Sequence, residues 1–326
     1  MLRLSPPGHA RLTQTPTLEM RFGGAELNVL ASLAQWGMSV AFVSKLPDND
    51  VAQACLNEAR GLGVDISGVR RGGGRMGIFF VETGAAQRGS TVTYDRAGSS
   101  LSQSSPGEWD WEALLAGADV LHVSGITPAL GDGCRAALRA AMEEARRQNV
   151  LTVFDVNYRS KLWRPEVAGG VIAELLPLAD LALVGMHDAE LLFGITPTGE
   201  TRTEQQKSVA WQLGKRFGLP SGVGMTARES FSASRNDFSA LFYVAGNAYS
   251  SRTYTVDPIV DRVGTGDAFA AGLIYGFLNE MTPQESIEFA AASGCLKHSI
   301  PGDYNRVSAD AVRALAAGDS AGRIER

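Results

Sequence analysis

The chain has 326 residues, 44% hydrophobic and 20% charged, the composition of a globular protein large enough to bury a full core. Thirty Lys and Arg against thirty-five Asp and Glu give a formal charge of −5, which excludes an overall basic footprint for nucleic acid or an anionic membrane and leaves any anionic ligand to a few placed cations. Three widely spaced cysteines, Cys55, Cys134 and Cys295, with no C-x-x-C pair, argue against a disulfide framework or structural zinc and for a reducing compartment, with the cytoplasm as the default.

Met1 to Ser5 reads as the last half of a strand running into Pro6-Pro7-Gly8, so the expected start lies inside a longer strand. Neither a signal peptide nor an apolar run of roughly 18 to 20 residues is present. From Asn28 to Trp36, apolar residues recur at helical spacing up to Gly37, and Val40 to Val43 follows as a strand. Val51 to Gly61 is a second amphipathic helix. Ile78 to Glu82 and Thr91 to Tyr94 read as antiparallel strands around a turn-rich Gly84 to Ser90, a small β flap built from segments near 8–22 and 74–98. Strand Val120 to Val123, helix Cys134 to Gln148, strand Leu151 to Asp155, helix Val167 to Leu176 and strand Leu181 to Val184 then alternate, which predicts one α/β domain over 1–326 with a mostly parallel central sheet and helices on both faces. Helix Gln205 to Phe217, short strands between Gly222 and Tyr254, and helices Pro283 to His298 and Ala309 to Ala317, capped by Thr282 and Ser308, complete the pattern.

A parallel sheet places its ligand at the carboxyl ends of its strands. The strongest candidate is Asp261-Arg262-Val263-Gly264-Thr265-Gly266-Asp267, a Gly-rich turn opening into an apolar helix. Backbone N–H groups of such a turn close on an anion, and the helix N-terminus adds about half a positive charge. Asp267 in the first helical turn is placed to accept a hydroxyl proton as phosphoryl transfer proceeds, or else to satisfy orphan N–H groups of the helix start. Gly23-Gly24 ahead of Asn28 lets the backbone approach a small polyol, or simply makes a tight turn. Tyr94-Asp95-Arg96 and Asp155-Val156-Asn157-Tyr158-Arg159 end two strands with arginine forks suited to a carboxylate or phosphate; a solvated arginine is the plainer reading of each alone. Gly72-x-Gly74-x-x-Gly77 has the letters of a dinucleotide fingerprint but leads into a strand, there is no P-loop, and His122 in its apolar strand reads as a satisfied core histidine.

Taken together these segments resemble the ribokinase-like (PfkB) sugar kinases over essentially the whole length. The resemblance is carried by Leu2 to Gly8, Phe22-Gly23-Gly24-Ala25-Glu26-Leu27-Asn28, Gly74-Arg75-Met76-Gly77, Tyr94-Asp95-Arg96, Ser124 to Leu130, Asp155 to Arg159 with Leu162-Trp163, and the Gly264 to Asp267 loop. It implies a ribokinase-like fold and ATP-dependent phosphorylation of 2-keto-3-deoxygluconate with magnesium and a possible monovalent cation. Asp267 is then the base, and Gly264, Thr265 and Gly266 the anion hole. Gly23, Gly24 and Asn28 hold the sugar; Tyr94, Arg96 and Arg159 surround its acid end and the phosphate path; Asp303 closes the substrate side. ATP lies across Asn157, Thr226, Arg228, Glu229 and Gly294, and Glu190 in His187-Asp188-Ala189-Glu190 organises magnesium through water. The usual loop is D-T-x-G-A-G-D, so Arg262 and Thr265 are this chain's own, and Asp95 beside Arg96 offers that arginine an ion-pair partner. The resemblance also implies a longer first strand, of which Met1 to Ser5 is the remnant. A homodimer through the flap is expected, because a lone flap exposes an apolar face. A neutral-sugar kinase acting on fructose or ribose, and a non-catalytic binder of sugar acid or nucleotide, are the competing readings.

Overall fold

The computed structural model describes residues 1–319. The chain begins with β1 (Leu2–Ser5) and β2 (Glu19–Phe22), then α1 (Ala25–Gln35), β3 (Ser44–Leu46), α2 (Asp50–Gly61), β4 (Val69–Arg71), β5 (Ile78–Glu82) and β6 (Thr91–Asp95). The middle alternates as α3 (Trp111–Leu115), β7 (Val120–Ser124), α4 (Asp132–Arg147), β8 (Leu151–Asp155), α5 (Pro165–Leu175), β9 (Leu181–Leu183), α6 (Met186–Phe193) and α7 (Arg202–Phe217). Four strands, β10 (Gly222–Ser230), β11 (Asn236–Val244), β12 (Asn247–Ser250) and β13 (Tyr254–Val256), precede α8 (Thr265–Leu278), α9 (Pro283–Lys297) and α10 (Ala309–Ala317).

The main sheet has the order β12-β11-β10-β9-β8-β7, with β13 also paired to β11. From β7 to β10 all pairs are parallel, and β11 alone runs against the rest. Its inner strands are apolar on both faces because helices cover both. Phe154, Ala182 and Val223 point into a core with α4, α5, α6 and α7, whereas their neighbours Val153, Leu181 and Leu183 point into a second core with α1, α8, α9 and α10. The most extensive helix contact is α8 on α9, where a Cβ at Gly272 would sit 2.4 Å from Ala290 Cα. Thr282 and Ser308 cap α9 and α10 as the sequence predicts, each accepting a backbone N–H with its hydroxyl.

A smaller sheet in the order β2-β1-β5-β6 stands beside the main one. Leu2 to Ser5, expected as the remnant of a central strand, lies in this sheet instead, antiparallel to β2 and parallel to β5. The strand expected at Val40 to Val43 starts only at Ser44, with Ala41 joined to Asp65 by a single bridge. Between that segment and β7 lies an apolar cavity of about 560 Å³, lined by Leu33, Val40, Phe42, Leu121 and His122 among others. His122 is thus not a satisfied core residue: its Nδ1 has no partner, and burial pushes the imidazole down to about 4, so it is neutral at physiological pH.

Candidate active site

The chemistry gathers in a second, more polar cavity of about 640 Å³ at the carboxyl ends of β8, β9 and β10, with the smaller sheet on its other side. The turn before α8 forms its floor. Gly264 is the N-cap of α8 with a φ of +82°, and a Cβ there would fall 2.1 Å from the Asp303 carbonyl oxygen, so the sharp turn and the close packing both demand glycine. No side chain caps the helix; the Thr265 N–H turns back to the Arg262 carbonyl at 3.5 Å, and Gly266, next in the first turn, lines the cavity. Asp267 does not cap the helix. Its buried carboxylate accepts a hydrogen bond from Asn28 Nδ2 at 2.7 Å, and Asn28 Oδ1 in turn accepts the Gly24 N–H at 3.2 Å. Burial pushes Asp267 up to about 6, against the opposing effects of the Asn28 hydrogen bond and the Arg159 charge. The group is therefore ionised at neutral pH yet basic enough to take a proton.

Asp155, at the end of β8, is the partner that the sequence reading passed over. Burial first, then the Asp267 charge, push it up to about 7. Asn157 follows it in a left-handed conformation with a φ of +41°, donating its backbone N–H to Asp155 Oδ1 at 3.1 Å, and this bend turns Asn157 and Arg159 into the cavity.

The flap supplies the cationic wall. Asp95 does not pair with Arg96: it makes a bidentate pair with Arg75, both contacts 2.6 Å, on the outside of the sheet. Arg96 is left to stack on the Tyr94 ring at 3.9 Å, with its buried Nε and Nη2 lacking any partner. Burial holds its pKa below the ordinary value, and Arg159 adds like-charge repulsion. Arg96 and Arg159 both line the cavity, and the fork geometry of a guanidinium suits a carboxylate or phosphate. At the flap tip the Ala233 N–H donates to the Ala86 carbonyl at 2.8 Å, bridging to the loop after β10.

On the opposite side Thr226 and Arg228 project from β10 into the cavity. Arg228 Nη2 donates to Thr265 Oγ1 at 2.9 Å, which sets a guanidinium beside the first turn of α8; enclosure by protein, then the neighbouring Arg262, depress it to about 10. Arg262 itself donates to the Ser232 carbonyl at 2.7 Å.

Four expected residues sit elsewhere. Glu229 follows Arg228 on the strand and points out to solvent, as period-two alternation requires. Gly294 lies in the α9 interior, where a Cβ would meet Phe238 Cε1 at 2.8 Å, so it serves helix packing and not the nucleotide. Glu190 is exposed on α6, whereas Asp188, two residues earlier on that helix, lines the cavity and has its pKa raised by burial. Gly23 packs against Asp303, whose Oδ2 would lie 2.1 Å from any Cβ there. Asp303 is itself a strut: Arg3 bridges it at 2.8 Å and Asp261 at 2.7 Å, all three buried. Among the described residues no group of three or more His, Cys, Asp or Glu could cage a metal ion.

The model of the pfkB family carbohydrate kinases matches residues 3–217 and 239–309. The chain belongs to the PfkB carbohydrate kinase family. It is thus a sugar kinase of ribokinase-like fold, and the Gly264 turn is the part of the family pattern that its cavity is built on. It is 42% identical to the 2-dehydro-3-deoxygluconokinase of Thermotoga maritima, whose crystal structure it matches with a TM-score of 0.94 over 98% of this chain and 96% of that one. It is 30% identical to the 2-dehydro-3-deoxygalactonokinase of Haloferax volcanii, covering 99% of this chain and 96% of that one. With the 2-dehydro-3-deoxygluconokinase of Bacillus subtilis it shares 30% identity, over 90% of this chain and 86% of the relative. A ribokinase II from Escherichia coli with ATP and magnesium bound has the same fold, with a TM-score of 0.79. No described helix is long and apolar enough to cross a membrane.

Proposed function

We propose that this PfkB kinase transfers the γ-phosphoryl group of ATP to the terminal hydroxyl of a 2-keto-3-deoxy sugar acid, 2-keto-3-deoxygluconate foremost. The observation that carries the reading is Arg96, whose buried Nε and Nη2 have no partner, with Arg159 beside it in the cavity that holds Asp267. A neutral sugar has no carboxylate for that pair, and a buried guanidinium without a partner is costly to maintain. The names of the relatives from Thermotoga maritima and Bacillus subtilis agree with it.

In this reading the carboxylate lies against Arg96, Tyr94 and Arg159. Asn28 and the Gly24 backbone orient the polyol, which brings the hydroxyl to Asp267. Asp267 takes the proton, while the N–H groups of Gly264 to Gly266 and the Arg228 guanidinium hold the transferring phosphate. The adenine nucleotide runs past Thr226. Magnesium neutralises phosphate charge when bound; with no cage of three or more ligands among the described residues, Asp188 is the side chain that would serve it, in place of Glu190. The flap tip excludes water, which suppresses hydrolysis of ATP. The outward row of the flap, Met20, Leu4 and Phe80 in register, is the surface through which two copies pair; Met20 is 55% exposed. Light scattering on Met20→Glu reads this directly, a monomer being expected from the variant and a dimer from the parent.

The kinase reading is tested by ADP release with magnesium on 2-keto-3-deoxygluconate, its galacto epimer, gluconate, fructose and ribose. Turnover confined to the keto-deoxy acids, with KM raised at least tenfold by Arg96→Ala, is the expected result. Turnover on fructose or ribose that is indifferent to Arg96→Ala overturns it.

A further inference from the structure

A charged side chain buried without an ion pair has no role in the scheme above. Lys297 ends α9, where a lysine ordinarily reaches into solvent beside the last carbonyls of the helix. Here its exposure is 0%. Its Cε lies 3.3 Å from the place a Gly264 Cβ would take, directly behind the turn that forms the anion hole. Nζ donates to the Ile300 carbonyl at 3.0 Å, the one hydrogen bond it makes among the described residues.

The surroundings are rich in negative charge. Asp261 and Asp303 face the ammonium, with Asp267 beyond, and Arg3 is the cation that opposes it. Arg3 already satisfies both nearer carboxylates in ion pairs, so Lys297 is not there to pair with either. Two buried carboxylates and one guanidinium nevertheless leave a net negative charge under a turn that must attract phosphate. Burial draws the lysine down to about 8, so a positive charge persists there at neutral pH. A buried ammonium held by a carbonyl oxygen and balanced by carboxylates thus places a fixed positive charge under the turn.

We propose that Lys297 is a positioning residue: its ammonium supplies, from behind Gly264, the fixed positive charge that keeps the phosphate-binding turn in shape, and it makes an added monovalent cation unnecessary. The inference rests on the kinase reading for its catalytic consequence. MgATP affinity, which needs no sugar turnover, is read alongside so that the two can fail separately.

Lys297→Ala leaves a hole that a small cation can enter, and Lys297→Met fills the same hole without charge. Both are assayed for kcat and for MgATP affinity by calorimetry, in choline, potassium, ammonium and methylammonium chloride, with thermal melting as the folding control. The parent enzyme is expected to work equally well in choline and potassium. Both variants are expected to lose at least tenfold in kcat and fivefold in MgATP affinity, with the KM for the sugar acid changed less than threefold. Ammonium or methylammonium should restore at least a third of the loss in Lys297→Ala and none in Lys297→Met. A parent enzyme that stalls in choline, variants with parental kcat and MgATP affinity, or a folded Lys297→Ala that no cation rescues would each overturn the proposal. If neither variant folds, the parent in choline against potassium decides alone.

Discussion

Asp267 and Asn28 act as one unit 239 residues apart in the chain. Replacing the base by Asp267→Asn keeps the shape and the Asn28 contact while removing the proton acceptor, so kcat should fall about 10²- to 10⁴-fold with little change in sugar binding, as steady-state assay and calorimetry can compare. Because Asp267 must be ionised, kcat/KM should rise with pH through about 6. The Asn28 hydrogen bond favours the charged carboxylate, so Asn28→Ala removes a lowering influence and shifts that acid limb to higher pH. Stability runs the other way. A carboxyl whose pKa is raised on folding disfavours the native state once pH exceeds the unfolded value, so Asp155→Asn, relieving a group held near 7, should raise the melting temperature at pH 8 and leave it unchanged at pH 3. At this scale the sequence was informative wherever a motif fixed a backbone: Gly264 to Asp267, Gly24 and Asn28, and the Asp155 to Arg159 bend all meet in one cavity. It misled where facing was needed, since eight residues of α6 carry Asp188 and Glu190 about two hundred degrees apart around the helix, and motif spelling favoured the outer one. Lys297 carries no signal in the sequence, because a lysine at a helix end is ordinarily solvated.

Elements were legible in proportion to their periodicity. The alternation from β7 to β9 and the caps of α9 and α10 follow from local pattern and side-chain chemistry, whereas β2 has a half-polar composition and pairs only because β1 lies beside it. The nine-residue strands β10 and β11 read as several short ones because glycine and serine interrupt their apolar runs. The α8–α9 pair shows how packing and chemistry part company. Thr282→Ala deletes an N-cap distant from the cavity and should lower stability by about 1 kcal/mol with unchanged kcat. Gly294→Ala drives a methyl against Phe238 and the start of α8; chemical denaturation should show a larger loss, and the phosphate turn beside it should suffer as well.

Across the whole molecule the smaller sheet is joined to the loops that flank α8 and α9 by Arg3, which reaches from β1 to Asp261 before α8 and to Asp303 after α9. Nothing in the alternation of Leu2-Arg3-Leu4 announces it, because ion pairs spanning 258 and 300 positions leave no local trace. Arg3→Met strands two buried carboxylates and should destabilise the protein by about 3 to 5 kcal/mol in urea titration, whereas Arg75→Ala, which breaks an exposed pair, should alter stability by less than about 1 kcal/mol.

The same tie sets how the enzyme opens. With β1 clamped beside the floor of the cavity by buried ion pairs, the β5–β6 hairpin beyond it is tied by hydrogen bonds alone: at its tip Ala86 accepts the Ala233 N–H from the loop after β10, and Arg88 donates to the His9 carbonyl. Entry of a sugar acid is therefore a peeling of the hairpin and not the swing of a door. Amide exchange should be slow along Leu2 to Ser5 at all times, fast from Gly84 to Ser90 in the free protein, and slowed there alone when sugar acid and nucleotide are both bound.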